Sequence, residues 1–159
     1  MPVMVLVGHS TDMTSWLIRW FTGSSYNHVM WLYRTGFCAS QDLTYQSKDI
    51  KKYMHVASRL KFWAVELLPI QRRKLYLKIQ RRLALPWYKR RYDFLGVLGQ
   101  ILGLRVINNP WVDYCSESVC NDLKEVMSGC PVKPSPQDLN EFAEKHPESF
   151  TYLGHWLGD

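Results

Sequence analysis

The stretch Trp111-Val112-Asp113-Tyr114-Cys115-Ser116-Glu117-Ser118-Val119 constrains this chain most. An apolar, aromatic segment ends there and an amphipathic helix begins, with a cysteine in its first turn. Unpaired N–H groups and the helix dipole put partial positive charge at a helix N-terminus, which favours thiolate over thiol. Val119, Leu123, Val126 and Met127 fall on the Cys115 side of this helix, whereas Glu117, Asn121, Lys124 and Glu125 take the other; Gly129 and Pro131 stop it. A nucleophilic thiol also needs a base, so the rest of the chain must supply a histidine. Free cysteine is among the most buried residue types, and a plain core cysteine fits the same pattern.

The chain around this stretch has ordinary globular chemistry. Its 159 residues are expected to form one domain, 1–159, and an apolar content of 47% with 21% charged residues argues against disorder. Met1 to Val7 lacks the length, basic start and cleavage site of a secretory signal, and no run approaches the roughly 20 apolar residues of a membrane span. The chain is therefore expected to be cytoplasmic at synthesis, with Cys38, Cys115, Cys120 and Cys130 reduced. Twenty Lys and Arg against 14 Asp and Glu give a net charge of +6, which points to an anionic partner or surface.

Periodicity divides the chain into short strands and helices. Val3 to Val7 is a continuous apolar run suited to a buried strand. Ser10 or Thr11 can cap a helix carrying Met13, Trp16, Leu17, Trp20 and Phe21 and ending at Gly23. His28 to Tyr33 and Phe37 to Asp42 flank Arg34-Thr35-Gly36 as a hairpin. Thr44 to Arg59 has no clear pattern, and Leu60 to Leu68 is a strand ended by Pro69. Ile70 to Leu85 is a basic helix bearing Arg72, Arg73, Lys74, Lys78, Arg81 and Arg82, with its charge continued by Lys89, Arg90 and Arg91. A buried helix over Phe94 to Leu102, a short helix over Asp138 to Lys145 and a strand over Phe150 to Leu153 complete an α+β fold, a small antiparallel sheet with packed helices.

Position separates the five histidines. His28 begins a strand just after the polar turn Ser24-Ser25-Tyr26-Asn27, so its ring sits at the rim of the sheet, both oriented and exposed. His9, His55, His146 and His155 lack that context, although His9 stands beside the first strand. A turn centred on Thr35-Gly36 pairs Arg34 with Phe37, which sets Met30 opposite Gln41 and His28 opposite Leu43. Gln41 then shares the face of His28 and is the expected group to hold its tautomer. Ser40 and Asp42 point the other way unless a bulge shifts the register by one residue.

Read together, Ser24-Ser25-Tyr26-Asn27-His28-Val29, the hairpin, the basic helix, Tyr92-Asp93-Phe94-Leu95-Gly96, Tyr114-Cys115-Ser116-Glu117-Ser118-Val119 and Ser135-Pro136-Gln137-Asp138-Leu139 resemble the circularly permuted papain-like branch of the NlpC/P60 superfamily, its YiiX-like members, in which the histidine precedes the cysteine. The resemblance spans most of the chain. It implies a permuted papain-like fold and a cysteine peptidase or amidase that needs no cofactor, with Cys115 as nucleophile and His28 as base. The third position of this branch is often a glutamate; Gln41 would orient the ring but stabilise an imidazolium less than a carboxylate does. Tyr26, Trp31, Trp111 and Tyr114 are the expected walls of a substrate groove, and each also fits a core position. The substrates implied are peptide, peptidoglycan or lipid-linked amides and esters, with bacterial cell-wall peptide preferred and a bacterium or phage as the source.

Two other readings compete. A zinc site would use Cys115, Cys120 and Cys130, but the first two stand about 140° apart on one helix and no Cys-x-x-Cys pair exists, so no metal is expected. Alternatively the basic helix around residues 72–91 binds an anionic surface, a membrane rather than a specific nucleic acid, as a non-catalytic or lipid- or ester-directed module.

Overall fold

The apolar run near the N-terminus becomes the strand that both faces of the sheet are built on. In the computed structural model, which describes residues 1–9, 25–41, 44–90 and 115–158 with the side chain of His9 excepted, strand β1 (Val3–His9) pairs antiparallel with β2 (His28–Arg34) on one side and β5 (Ala57–Val65) on the other. Beyond β2 lie β3 (Phe37–Gln41) and β4 (Tyr45–Asp49), and beyond β5 lies β6 (Phe150–Leu157). The order β4-β3-β2-β1-β5-β6 is an open antiparallel sheet, and the fold is α+β. Interior placement explains the unbroken apolar run: Met4 and Leu6 enter one core cluster while Val5 and Val7 enter the other, on the opposite face.

The larger cluster is covered by α2 (Pro69–Ala84), α3 (Cys115–Leu123) and α4 (Pro136–Lys145); the smaller by the single turn α1 (Ile50–Met54). Each helix start has a local cause. Pro69 opens α2, where a missing N–H costs nothing, and the Gln71 side chain accepts from the Leu68 N–H at 2.9 Å. Ser135 and Asp138 close a reciprocal capping box on α4, with Ser135 N–H donating to Asp138 at 2.7 Å. Asp49 caps α1 through the Lys51 N–H.

Several boundaries move from their expected places because pairing overrides pattern. The strand expected over Leu60 to Leu68 occupies Ala57–Val65, since β1 offers partners from Ala64 back to Ala57. The last strand runs on past Leu153 to Leu157 along the nine-residue edge of β5. The patternless stretch Thr44 to Arg59 holds β4, α1 and the start of β5. The helices expected between Ser10 and Gly23 and over Phe94 to Leu102 lie outside the described residues. No helix among the described residues is long and apolar enough to cross a membrane.

Candidate active site

Cys115 stands at the first position of α3, and α3 is held by polar anchors on almost every side. Ser116 Oγ donates to the Pro134 carbonyl at 2.6 Å, and the fully buried Asp122 accepts from Trp31 Nε1 at 3.1 Å. Lys78 and Arg82 of α2 reach the same carboxylate at 3.6 and 3.4 Å, and Arg82 Nη1 donates to Ser118 Oγ at 2.7 Å. The helix is thus clamped between β2 and α2, which is why Ser116, Ser118 and Asp122 are buried although their residue types suggest a solvent face.

His28 begins β2, as expected, and meets Cys115 at the end of the strand. Burial pushes the Cys115 thiol up. The charge of His28 and a hydrogen bond to its ring pull it down, helped by the backbone of Val29 and Ser116, and the net effect lies below the ordinary thiol value. A buried thiol with a lowered pKa means that specific partners outweigh desolvation. The ring is fixed from two further sides. Its Nε2 lies 2.6 Å from Ser40 Oγ, and Tyr53 of α1 stacks on it at 6.1 Å with 17° between planes. Tyr53 comes from the stretch that had no readable pattern, so only the folded sheet reveals it.

The partner of His28 is Ser40, not Gln41, and the register explains the correction. Arg34 pairs with Phe37 as expected, but Leu32 pairs with Cys38, Trp31 with Ala39 and Met30 with Ser40. Gly36 is left-handed (φ 77) and Thr35 is not, so the turn is not the doubly left-handed type that keeps two strands in unbroken register. Tyr33 is accommodated in β2 as one extra residue, and every pair beyond it shifts by one. Ser40 thereby gains the His28 face. Gln41 turns to the opposite face, donating to the Arg90 carbonyl at 3.0 Å and accepting from Arg82 at 3.5 Å. Asp42 lies outside the described residues.

Of the four aromatic residues expected to wall a groove, Trp31 is fully buried and bonded to Asp122, so it is core. Tyr26 is half-buried against the main cluster. Burial raises its phenol pKa, opposed by Lys61 and Arg59 of β5. Trp111 and Tyr114 lie outside the described residues. Other histidines are engaged elsewhere: His146 Nδ1 with the Phe142 carbonyl at 2.8 Å and His155 Nδ1 with the Tyr152 hydroxyl at 2.7 Å. A cleft of about 310 Å³ between Val3, Leu32, Tyr33, Arg34 and Tyr76 sits at the other end of β2 from His28 and shares none of this chemistry.

Cys38, Cys115, Cys120 and Cys130 are all free thiols. Cys120 faces Cys130 and the Pro131 carbonyl, away from the Cys115 end of the helix. Among the described residues, no three His, Cys, Asp or Glu side chains converge to hold a metal.

The chain matches no family model and no curated protein. Among solved structures it is similar to the crystal structure of metalloprotein YiiX from Escherichia coli O157:H7, DUF1105, with a TM-score of 0.63 and 16% identity over 97% of this chain and 96% of that one. That protein is described as a metalloprotein; among the described residues here no three His, Cys, Asp or Glu side chains are grouped to hold a metal. At 16% identity the likeness speaks to architecture alone, and this chain has a YiiX-like fold along nearly its whole length.

Proposed function

We propose that this chain is a cysteine hydrolase of amide bonds, built on the permuted papain-like NlpC/P60 plan, with Cys115 as nucleophile, His28 as general base and Ser40 as the residue that positions the imidazole. The observation that carries the reading is the Cys115 thiol, which is buried and yet held below its ordinary pKa by His28. With Nε2 engaged by Ser40, Nδ1 is the ring nitrogen assigned to the thiol.

The chemistry follows from these groups. Sγ gives its proton to His28 and attacks the carbonyl carbon, and the oxyanion forms beside the positive end of α3. The amine leaves with the proton returned from the imidazolium. Water, deprotonated by the same ring, then cleaves the thioester and restores the thiol. A neutral serine orients the ring without adding charge, which limits the stabilisation of the imidazolium. Bacterial cell-wall peptide is the substrate class proposed first.

The test is the rate of Cys115 alkylation by iodoacetamide against pH, in the wild type and in His28→Ala, followed by hydrolysis of cell-wall stem peptides with Cys115→Ala as control. A reactive thiol that depends on His28, and hydrolysis that depends on Cys115, are expected. Ordinary thiol behaviour in both proteins overturns the reading.

A further inference from the structure

The basic helix divides its charges between two jobs. Lys78 and Arg82 turn inward: Lys78 binds the Asn121 carbonyl at 2.7 Å and Glu125 at 2.8 Å, and Arg82 binds Ser118 and lies over the Tyr45 ring at 4.2 Å. Leu75 and Ile79 bury the same side of α2. The opposite side holds Ile70, Arg73, Lys74, Leu77 and Arg81 within about 100° of arc. Arg73, Lys74 and Arg81 are exposed and have no ion-pair partner among the described residues. No acidic residue occurs from Leu67 to Tyr92.

Large apolar side chains share that exposed surface. Ile70 is 61% exposed and Leu77 41%. Past the helix, Leu85, Trp87 and Tyr88 are exposed as well, Trp87 at 62%, and the two rings pack edge to face at 6.2 Å. A helix that buries one apolar stripe in the core has no need of a second in water. Aliphatic side chains gain nothing from a phosphate backbone or from stacked bases, but they gain from the acyl boundary of a bilayer, where Trp and Tyr also settle.

We propose that the outer face of α2, continued through Leu85, Trp87 and Tyr88, docks this protein on an anionic lipid bilayer, with Arg73, Lys74 and Arg81 meeting the headgroups and Ile70, Leu77 and Trp87 entering the interface. The helix that carries this face packs on the cysteine helix through its inner side, where Arg82 joins α2 to Ser118, one turn along from Cys115. The docking inference does not depend on the hydrolase reading.

The experiment is vesicle co-sedimentation of the full chain on phosphatidylcholine with and without phosphatidylglycerol, across ionic strength, beside anisotropy titrations with duplex DNA and single-stranded RNA. Binding confined to anionic vesicles and weakened by salt is expected. Arg73→Glu/Lys74→Glu/Arg81→Glu should lower partitioning at least about a hundredfold, at roughly fivefold for each charge. Ile70→Ser/Leu77→Ser/Trp87→Ser, which keeps every charge, should also lower it at least tenfold, in the range expected for losing several buried apolar groups. Unchanged Cys115 alkylation rates show that both variants are folded. No binding to anionic vesicles, binding untouched by the apolar variant, or tighter binding to nucleic acid than to vesicles overturns the proposal.

Discussion

Ser40 Oγ lies 2.6 Å from Nε2 of His28, across a strand pair that a single extra residue, Tyr33, has moved by one position. The contact holds the ring from one side while Tyr53 covers its face.

Replacing Ser40 by Ala should therefore slow alkylation of Cys115 at neutral pH by roughly fivefold, the worth of about 1 kcal/mol for one neutral hydrogen bond. Ser40→Thr should recover most of the rate. Gln41→Ala, which cuts the link to Arg90 and Arg82, should leave the pH profile of the thiol in place and lower the melting temperature instead.

The pH dependence has a definite sign. Alkylation follows the thiolate fraction, so with a lowered pKa the wild-type rate rises and reaches its plateau at lower pH than an ordinary thiol. In His28→Ala burial acts with far less opposition, and the rise should move to higher pH than that of a free thiol. A profile that is identical in the two proteins would refute the coupling.

Asp122 is the buried anchor between α3, Trp31, Lys78 and Arg82. Asp122→Ala leaves the buried Trp31 indole N–H without its acceptor, while Lys78 keeps Glu125 and the Asn121 carbonyl and Arg82 keeps Ser118, at a cost of about 1–3 kcal/mol. Melting should fall by roughly 5 °C, as a chain of this size loses a few degrees per kcal/mol. Asp122→Asn, which keeps an acceptor for Trp31, should lose less; equal losses would show that charge rather than the hydrogen bond is what matters.

Gly8 sits where β1 passes the turn that leads to His28. A Cβ there would stand 2.8 Å from the Ser25 carbonyl oxygen and 2.8 Å from Arg59 Cγ. Arg59 can move, but the Ser25 backbone cannot without shifting the approach to His28. Gly8→Ala should cost about 1–3 kcal/mol, as overpacking does, and slow the Cys115 reaction together with it. Thermal melting and alkylation measured side by side check both effects.

Much of the candidate site could be read from the chain because it rests on local physics. A cysteine at the start of an amphipathic helix and a histidine at the start of a strand are sequence-level placements, and the structure brings Cys115 and His28 together. The expected walls fared differently. Trp31 is an amphipathic residue whose indole N–H found a buried carboxylate, and nothing local in Asp122 announces that pairing. Tyr53 was illegible for the same reason: its role depends on which strand its short helix packs against.

By itself the sequence determined the apolar central strand, the hairpin turn at Gly36, the start of the cysteine helix and the basic character of α2, all of which follow from periodicity, turn chemistry and charge along a few consecutive residues, whereas that helix ends at Leu123, well before the Gly129 and Pro131 expected to stop it. Tertiary structure alone decided that Ser40 rather than Gln41 meets His28, since a strand's side chains alternate and one bulge inverts them all. It alone decided which cations of α2 turn toward Asp122 and which stay in water, since helix rotation is set by the core that Leu75 and Ile79 enter. Long-range pairing selects among locally equivalent choices, and the chain carries no local record of that selection.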